Sequence, residues 1–496
     1  MNRITVLSQR KQHICRKQCD SCAAASSRVH TEDSQGNSIY DWTFMDRVFD
    51  SYLSANVKPY VQIGFMPLAL SAGPDPNFFT FTPTSSYDAI YTGWSSPPTN
   101  YQTWEELLYQ WTKHNVEKYG QAEVESWYWE VWNEPNVAYW NGTRDEFCAL
   151  HDHAIAAVRR ALPTARVGGC EAAGGAAERL PRRAPEPQPA RWQLRHRRDR
   201  HAALHQSHGA KEGGFVRMNL SAQLQQIDGA FSVGASFAEL RQTPIVMGEY
   251  DPDGCAACQT PQYGYENGPL YQSYTIATFV RALDLADRWG VNRQGALTWA
   301  FEYEEAELFN DTTYFDGFRV LATQGIDKPV LNAHRMLGMM TRDRVWAESD
   351  GQVSLDEAVA GSVRGKTDVG VLASADEERV YVLVWYYHDN DTSFQDAQVD
   401  LTIGGLENRT SANLTHFRLD EEHSNSYSLW RALRSPTAPT PVDYERLVAA
   451  GKLEKLETSG NVSVDEDGKY IMSFALPIRS LSLVVVEHVE AGNKIS

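Results

Sequence analysis

The residues of this 496-residue chain whose types and spacing could do chemistry lie in Trp127–Tyr139, which reads Trp-Tyr-Trp-Glu-Val-Trp-Asn-Glu-Pro-Asn-Val-Ala-Tyr. The aromatic and β-branched first half is typical of a strand. Pro135 ends it, because proline lacks a backbone donor and restricts the preceding residue. Glu134 is therefore predicted at the C-terminal end of a buried strand, among indole rings. Flat apolar faces suit a sugar ring, and an acid suits the glycosidic oxygen. The structural alternative is that Glu134 caps a helix or pairs with an arginine.

A second carboxylate, Glu249, follows another short apolar run within Pro244–Tyr250. The C-terminal ends of parallel barrel strands converge on one face, so residues far apart in sequence can meet there. Hydrolysis of a glycoside with retention of configuration needs two carboxyl groups roughly 5–5.5 Å apart. The sequence predicts Glu134 as the general acid/base and Glu249 as the ionised nucleophile.

The segment Trp129–Asn136 resembles the acid/base signature of glycoside hydrolase family 39, the family of β-xylosidases and α-L-iduronidases. Further stretches agree with the family in their order: Lys58–Pro67, the Glu249 strand, Gln294–Trp299, Gly317-Phe318 and Gly325–Pro329. The resemblance implies an α/β fold, a (β/α)8 TIM barrel followed by a β-sandwich, and a retaining mechanism. It implies carbohydrate as the partner and no cofactor.

Other residues are candidates for binding the sugar. Asn133 precedes the acid, Gln62 and Phe65 belong to a predicted strand that faces the site, and Trp299 could form the floor of the sugar subsite. By resemblance, the acidic residues after the last barrel strand accept sugar hydroxyls, and His208 is the remnant of a strand that carries a histidine towards the nucleophile. The acidic residues that fit best are Glu304 and Glu305. The alternative is that these acids are surface residues on a loop.

Composition limits the class of substrate. The formal net charge of −18 disfavours nucleic acid and anionic membranes as partners. It also disfavours polyanionic glycosaminoglycans and so favours neutral sugars over iduronides. The 14 Trp and 23 Tyr exceed what a core of this size needs, and carbohydrate stacking would use the surplus.

Three regions are predicted along the chain. Residues 1–27 are basic, contain cysteine and have no periodicity, which indicates disorder or non-native sequence. Residues 28–340 would form the barrel, incomplete in this chain, and residues 341–496 the β-sandwich. Within the barrel, residues 170–210 are aberrant: Cys170–His208 contains eight Arg and no Val, Ile, Phe, Tyr or Met. Such a segment cannot bury enough apolar area to offset its ordering entropy, so it is a charged linker or the product of a shifted reading frame.

Local signals place helices and strands around these sites. A capping box at Thr103 and Glu106 predicts a helix that ends at Gly120, and Gly290 ends another helix that begins near Tyr271. From about Met340 the helical period disappears, and β-rich runs between turns predict the sandwich.

The cysteines give no metal site. Cys255 and Cys258 could form a small disulfide, and a zinc site would need a second pair of ligands that the sequence does not supply. We expect no bound metal. Met1–Gln12 lacks the apolar run of a signal peptide, and no run approaches a membrane span. Seven Asn-x-Ser/Thr sequons lean towards secretion, so localisation stays open.

The chain therefore supports two classes of function. The first is a retaining, exo-acting β-xylosidase-type hydrolase, with an α-L-iduronidase-like specificity as a variant. The second is a sugar-binding protein or an inactive relic of such an enzyme. The sequences expected for barrel strands at the start and in the middle of the barrel are missing or unrecognisable, and an open barrel would expose strand edges.

Overall fold

The computed structural model describes residues 29–73, 78–79, 90–91, 95–136, 139–169, 216–248, 250–252, 264–298, 314–315, 320–406, 411–456 and 459–488. The two atypical segments, 1–27 and 170–210, lie outside them. Among the described residues, no helix is long and apolar enough to cross a membrane. In the same residues, no three His, Cys, Asp or Glu side chains come together as metal ligands would.

Residues 29–169 alternate strands with helices. In chain order the elements are β1 (His30–Glu32), β2 (Ser38–Tyr40), α1 (Thr43–Ser54), β3 (Tyr60–Ile63), β4 (Phe78–Phe79), β5 (Ile90–Tyr91), α2 (Tyr101–Tyr119), α3 (Gln121–Glu125), β6 (Tyr128–Val131), α4 (Arg144–Ala161) and β7 (Arg166–Gly169). The predicted strand that leads to Glu134 is confirmed as β6. The helix that follows it, α4, begins at a capping box between Thr143 and Glu146.

Residues 216–339 continue the alternation. Their elements are α5 (Leu220–Ser236), β8 (Ile245–Met247), α6 (Pro269–Trp289), β9 (Arg293–Ala296), β10 (Ala322–Thr323), β11 (Ile326–Asp327) and α7 (Pro329–Met339). The predicted end of α6 is confirmed, because Gly290 adopts the left-handed conformation with a φ of 59°.

Residues 344–488 are mainly strands. They form β12 (Arg344–Val345), α8 (Leu355–Gly361), β13 (Asp368–Ala375), β14 (Arg379–Tyr387), β15 (Ala397–Ile403), β16 (Ser411–Leu419), α9 (Ser426–Ala432), α10 (Pro441–Ala450), β17 (Glu454–Lys455), β18 (Gly460–Ser463), β19 (Tyr470–Leu476) and β20 (Leu481–His488). The prediction that helical periodicity ends near Met340 is wrong, because α8, α9 and α10 interrupt the strands. They were missed because each is short, with ten residues or fewer.

Five strands of the first two regions pair in parallel. The order β3–β6–β7 forms one sheet, and β8 pairs with β9 in another. Helices lie between consecutive strands in the chain, which is the pattern of βαβ units. On one face of the first sheet, Val61, Ile63 and Trp129 pack in a single core with Trp104 and Trp111 of α2. The outward faces of these strands are therefore covered by helices.

The strands from β12 onwards form two antiparallel sheets. One follows the order β12–β13–β14–β20–β16–β17, with β18 also paired to β16, and the other is β15–β19. Val384, Leu414 and Val484 of the large sheet share a core with Ile403 and Leu476 of the small one. The predicted sandwich is confirmed in these residues.

The large sheet is covered on its second face as well. Leu383, Trp385 and Leu483 belong to one core with Ile276 and Val280 of α6. Burial on both faces explains why β14 is an almost uninterrupted apolar run rather than an alternating one. The sandwich and the α/β region therefore share a core instead of meeting at a polar boundary.

A buried polar network crosses this shared core. Arg281 of α6 lies 2.8 Å from the Asp368 carboxylate of β13 and donates a second hydrogen bond, 2.9 Å long, to the Val353 carbonyl. Asp368 also accepts hydrogen bonds from the Val353 amide and the Trp385 indole. Both charged side chains are almost fully buried, at 1% and 0% exposure. Each is paired and hydrogen-bonded, as buried charges must be.

The start of α2 differs from the prediction. The capping box at Thr103 and Glu106 is wrong, because the helix begins at Tyr101 with Asn100 as its N-cap. The Asn100 side chain accepts hydrogen bonds from the amides of Gln102 and Thr103. Asparagine is as good an N-cap as threonine, and the earlier start covers one more turn of the core.

Candidate active site

The register between β3 and β6 shows which of their side chains lie on the same face of the sheet. Gln62 pairs with Glu130 and Tyr60 with Tyr128, so these four residues share the face opposite the helices. Tyr60 and Tyr128 pack there against Val246 of β8. The two parallel sheets therefore face one another across their inner side chains.

The backbone turns sharply where β6 ends. We call residues 132–134 the β6 turn. Its first residue stays attached to the sheet, because the Trp132 amide donates a 2.8 Å hydrogen bond to the Ile63 carbonyl. Trp132 and Glu134 both have positive φ, at 70° and 42°, which non-glycine residues rarely adopt. Such conformations persist only where the surroundings enforce them, and they cluster at functional sites.

Aromatic packing enforces the β6 turn. The Trp132 ring makes edge contacts with Phe65 and Trp140, at centroid distances of 5.4 and 5.2 Å, and its indole N–H donates to the Tyr139 carbonyl. Gly64 completes the fit: a Cβ there would lie 3.2 Å from the Trp132 ring, and the φ of Gly64 is 154°. Trp132 is thus packed between two aromatic rings, and Glu134 follows it by two residues.

Asn133 is held between the two strands. It is 2% exposed, and its side-chain oxygen accepts a 3.3 Å hydrogen bond from Gln62 Nε2. Its own amide nitrogen is buried and has no hydrogen-bond partner among the described residues. Buried donors without partners are uncommon in folded proteins, and a ligand hydroxyl is one way to satisfy such a group. Sequence reasoning placed Gln62 and Asn133 at the site separately, and the structure brings them together.

The ends of β8 and β9 lie side by side. Val246 and Leu297 contact Tyr60 in one buried cluster, which links them to the β3–β6 side of the molecule. Glu249 itself lies outside the described residues, but Gly248 and Tyr250 on either side are described. Burial raises the pKa of the Tyr250 phenol, so this side chain stays neutral.

A group of buried polar side chains surrounds the chain directly after Glu249. Asp251 is 5% exposed, and its Oδ1 accepts a 3.1 Å hydrogen bond from the Tyr271 hydroxyl of α6 and another from the Thr298 hydroxyl after β9. We call Asp251, Tyr271 and Thr298 the β8 clamp. Gln223 Nε2 donates to the Asp251 carbonyl, and Gln223 Oε1 accepts from the Tyr274 hydroxyl, which extends the network to α5.

Sequence reasoning missed two buried acids. Glu130 is fully buried on β6 in register with Gln62, and a signal was available: it lies four residues before Glu134 in a strand that is otherwise apolar. Asp251 follows Glu249 by two residues, and a second acid so close to a strand end is a comparable signal.

The remaining predicted site residues are not tested by the structure. Trp299, Glu304, Glu305 and His208 lie outside the described residues, as does the Cys255–Cys258 pair. Phe65 is described, and it contacts the rings of Trp132 and Tyr139.

The α9–α10 pair of the sandwich packs on loops that follow β8 and β9. Tyr427 and Trp430 of α9 contact the Phe315 ring at 5.6 and 5.3 Å, and Phe315 lies in the segment after β9. A Cβ on Gly268, in the segment after β8, would be 3.3 Å from Tyr427. The sandwich therefore contacts the chain segments that follow β8 and β9.

Glu134 lies at the C-terminal end of a parallel strand, in a turn that is packed between aromatic rings, and this is where the catalytic residues of (β/α)8 enzymes are found. The sequence profile described as Glycosyl hydrolases family 39 matches residues 11–469, and the chain belongs to that family. The protein is thus a glycoside hydrolase, and its substrate is a carbohydrate.

Individual relatives agree with the family. A β-xylosidase of Caldicellulosiruptor saccharolyticus is 24% identical over 447 residues, covering 89% of this chain and 82% of the relative. The human α-L-iduronidase is 25% identical over 421 residues, covering 77% of this chain and 60% of that protein. The crystal structure of a monomeric β-xylosidase from Caulobacter crescentus CB15 superposes with a TM-score of 0.70 and 20% identity, covering 92% and 86% of the two chains. That likeness shows a shared fold.

Proposed function

We propose that the protein is a retaining, exo-acting glycosidase of the β-xylosidase type, with Glu134 as general acid/base and Glu249 as nucleophile. The observation that carries the proposal is the β6 turn, which holds Glu134 in a strained conformation next to the buried Asn133 amide, whose nitrogen has no hydrogen-bond partner within the part of the chain that the structure describes. Its position at a parallel strand end is where catalytic residues of α/β barrels are found.

The reaction proceeds in two displacements. The Glu249 carboxylate attacks the anomeric carbon while Glu134 gives its proton to the leaving oxygen, which yields a glycosyl-enzyme ester. Glu134, now ionised, removes a proton from water, and the resulting hydroxide displaces Glu249 from the sugar. The Asn133 amide would donate a hydrogen bond to a sugar hydroxyl, with Gln62 holding its oxygen. Phe65 and Trp299 would contact apolar faces of the ring, and Glu304 or Glu305 and His208 would bind hydroxyls.

The relatives divide between β-xylosidases and α-L-iduronidases, and the charge of the chain separates these two specificities. Iduronides in glycosaminoglycans carry carboxylate and sulfate groups, and a net charge of −18 opposes their approach. Neutral xylosides carry no such penalty. A higher kcat/KM for an aryl α-L-iduronide than for the aryl β-D-xyloside would reverse this choice.

We further infer that the five parallel strands belong to one (β/α)8 barrel, incomplete in this chain, over residues 28–340, with residues 341–496 as the sandwich. The inner cluster of Tyr60, Val246 and Leu297 supports the inference, because it joins the β3–β6 and β8–β9 sheets across one interior. Parallel sheets are rarely stable unless both faces are covered.

Substitution of Glu249 tests the proposal. Glu249→Ala should abolish hydrolysis of an aryl β-D-xyloside, and added azide should restore turnover with an inverted xylosyl azide as product. The matched control is Glu239→Ala, which removes an exposed glutamate of the same region and should leave kcat unchanged.

The competing function is a sugar-binding or inactive relic, and the absence of Val, Ile, Phe, Tyr and Met from Cys170–His208 favours it. A purified wild-type protein that binds xylose but hydrolyses neither xyloside nor iduronide would support the relic. Wild-type-like turnover by Glu249→Ala would remove Glu249 from the mechanism while leaving an active enzyme.

A further inference from the structure

The β8 clamp connects three parts of the chain through a single oxygen atom. Asp251 lies two residues after the proposed nucleophile, and Thr298 lies one residue before Trp299, the proposed sugar platform. Tyr271 belongs to the first turns of α6, the helix that packs on the sandwich. Both hydroxyls donate to Asp251 Oδ1, so Asp251 is bound both to α6 and to the segment that follows β9.

We propose that Asp251, held by Tyr271 and Thr298, positions Glu249 for nucleophilic attack. The proposal rests on the proposed function, because it assigns a partner to the nucleophile named there. Asp251 acts through its neighbours and is a positioning residue. It is 5% exposed, and two donors already occupy its Oδ1.

Burial gives the clamp its strength. Tyr271 and Thr298 are 1% and 6% exposed, so water does not compete for their hydroxyls. Hydrogen bonds that end on a carboxylate are about twice as strong as bonds between neutral groups. In a low-dielectric surrounding, a donor that loses such a partner is left unsatisfied at a high cost. Asp251 therefore has one strongly preferred position.

Nucleophilic attack is sensitive to position. A displacement of about 1 Å in a reacting group can lower a rate roughly 100-fold. Loosening the clamp should therefore slow formation of the glycosyl-enzyme while leaving the reversible affinity for the sugar unchanged, because that affinity depends on contacts spread over the whole pocket.

Two isosteric variants remove the clamp hydroxyls singly: Thr298→Val and Tyr271→Phe. Thr298→Ser keeps the hydroxyl and serves as the conservative variant. Thr112→Val on α2 and Tyr387→Phe on β14 are matched controls. Each control removes an equally buried hydroxyl that donates to the Leu108 carbonyl or the Asp389 carboxylate, respectively. Neither control residue belongs to the candidate site, so both should behave as wild type.

The probe is 2,4-dinitrophenyl 2-deoxy-2-fluoro-β-D-xyloside. The Glu249 carboxylate forms a bond to the anomeric carbon, and the dinitrophenolate leaves with the electron pair of the broken C–O bond, so no proton donor is needed. Fluorine at C2 slows hydrolysis of the ester, and the labelled residue can then be identified by peptide mapping. Inactivation kinetics give a first-order rate constant and a separate dissociation constant for the probe.

We expect the label on Glu249 in the wild type. The inactivation rate constant should fall roughly 10- to 100-fold in Thr298→Val and Tyr271→Phe with an unchanged dissociation constant, and Thr298→Ser should stay close to wild type. Labelling of both hydroxyl-deleted variants at the wild-type rate would overturn the clamp while the proposed function stands. A wild-type protein that is not labelled, or is labelled on Asp251 or another acid, would overturn the proposed function and the clamp with it.

Discussion

At the end of β6 the chain is held by rings, whereas at the end of β8 it is held by hydrogen bonds. The β6 turn packs Trp132 between Phe65 and Trp140, and Trp132 donates its hydrogen bonds to the backbone carbonyls of Ile63 and Tyr139. The β8 clamp instead gathers two hydroxyls on one buried carboxylate of Asp251. Each strand is followed by one of the two carboxylates of the proposed reaction: Glu134 follows β6 and Glu249 follows β8.

The difference matches the task of each carboxylate as we propose it. An acid/base residue serves two steps and exchanges protons with both a leaving group and water, so a rigid apolar wall beside it limits the water around it. A nucleophile must meet one carbon atom at one distance, and directional hydrogen bonds fix a position more narrowly than ring contacts do. The comparison predicts that substitutions at the two strand ends have different effects on activity.

The largest expected effect comes from the acid/base residue. Glu134→Ala should lower kcat/KM for a xyloside with a poor leaving group by roughly 10²- to 10⁴-fold, the usual contribution of general acid–base catalysis. A dinitrophenyl xyloside needs no proton in the first step, so glycosylation should be spared. Azide should then accelerate turnover and yield a xylosyl azide of retained configuration, the opposite of the product expected for Glu249→Ala.

Equal losses on good and poor leaving groups would contradict the role of Glu134. Retained and inverted azides from the two variants would show that one carboxylate lies on each face of the sugar. Product configuration can be determined by proton NMR. Glu123→Gln is unsuitable as a control, because Glu123 pairs with Lys58 and the Trp127 indole. The exposed Glu239 serves instead.

The second effect concerns α6, the helix that carries Tyr271 of the β8 clamp. Arg281→Met should lower the free energy of unfolding by about 3–5 kcal/mol, because it leaves the Asp368 charge buried without its counter-ion. Urea unfolding followed by tryptophan fluorescence measures the change. At subdenaturing urea, labelling of Glu249 should slow in this variant, since its helix supports the clamp.

Arg288→Met is the matched control on the same helix. Arg288 pairs with Asp356, and the two side chains are 36% and 85% exposed, so the loss should stay within about 1 kcal/mol. Replacing both buried partners, in Arg281→Met with Asp368→Leu, should recover part of the lost stability. Equal stability of the Arg281 and Arg288 variants would show that the buried pair does not hold α6 on the sandwich.

Local signals in the sequence were sufficient for much of this molecule. The aromatic run before Pro135 and the glycine after α6 each predicted an element that the structure contains. Asn133 and Gln62, which were proposed separately as binding residues, are joined by a hydrogen bond in the structure. These features depend on a few neighbouring residues and on the fixed periods of helix and strand.

Contacts between distant segments could not be predicted in the same way. The residues around Asp251 do not indicate its hydrogen bond with Thr298. The residues around Arg281 likewise do not indicate its ion pair with Asp368 of β13. The apolar run of β14 indicated burial, but only the shared core shows that α6 covers it. Short helices such as α9 were missed because a single turn or two leaves too few residues for a period to emerge.

The smallest effect tests the ring-held end, at Gly64. Gly64→Ala places a Cβ 3.2 Å from the Trp132 ring and forces alanine into a φ of 154°. We expect a loss of about 1–3 kcal/mol in the free energy of unfolding. Activity should fall as well, because Trp132 must shift and Glu134 follows it by two residues. The fall should be larger for a poor leaving group, which depends on Glu134, than for dinitrophenyl xyloside.

Gly229→Ala provides the matched control for backbone effects. Gly229 lies inside α5, where no heavy atom comes within 4 Å of the added Cβ, so alanine should raise stability by roughly 0.5–1 kcal/mol. Covalent labelling of Glu249 should proceed at the wild-type rate in Gly64→Ala, because the hydrogen bonds of the β8 clamp run to α6 and to the segment after β9. Slower labelling in Gly64→Ala would mean that the two strand ends move as one, and the distinction between a ring-held and a hydrogen-bonded end would then have no functional meaning.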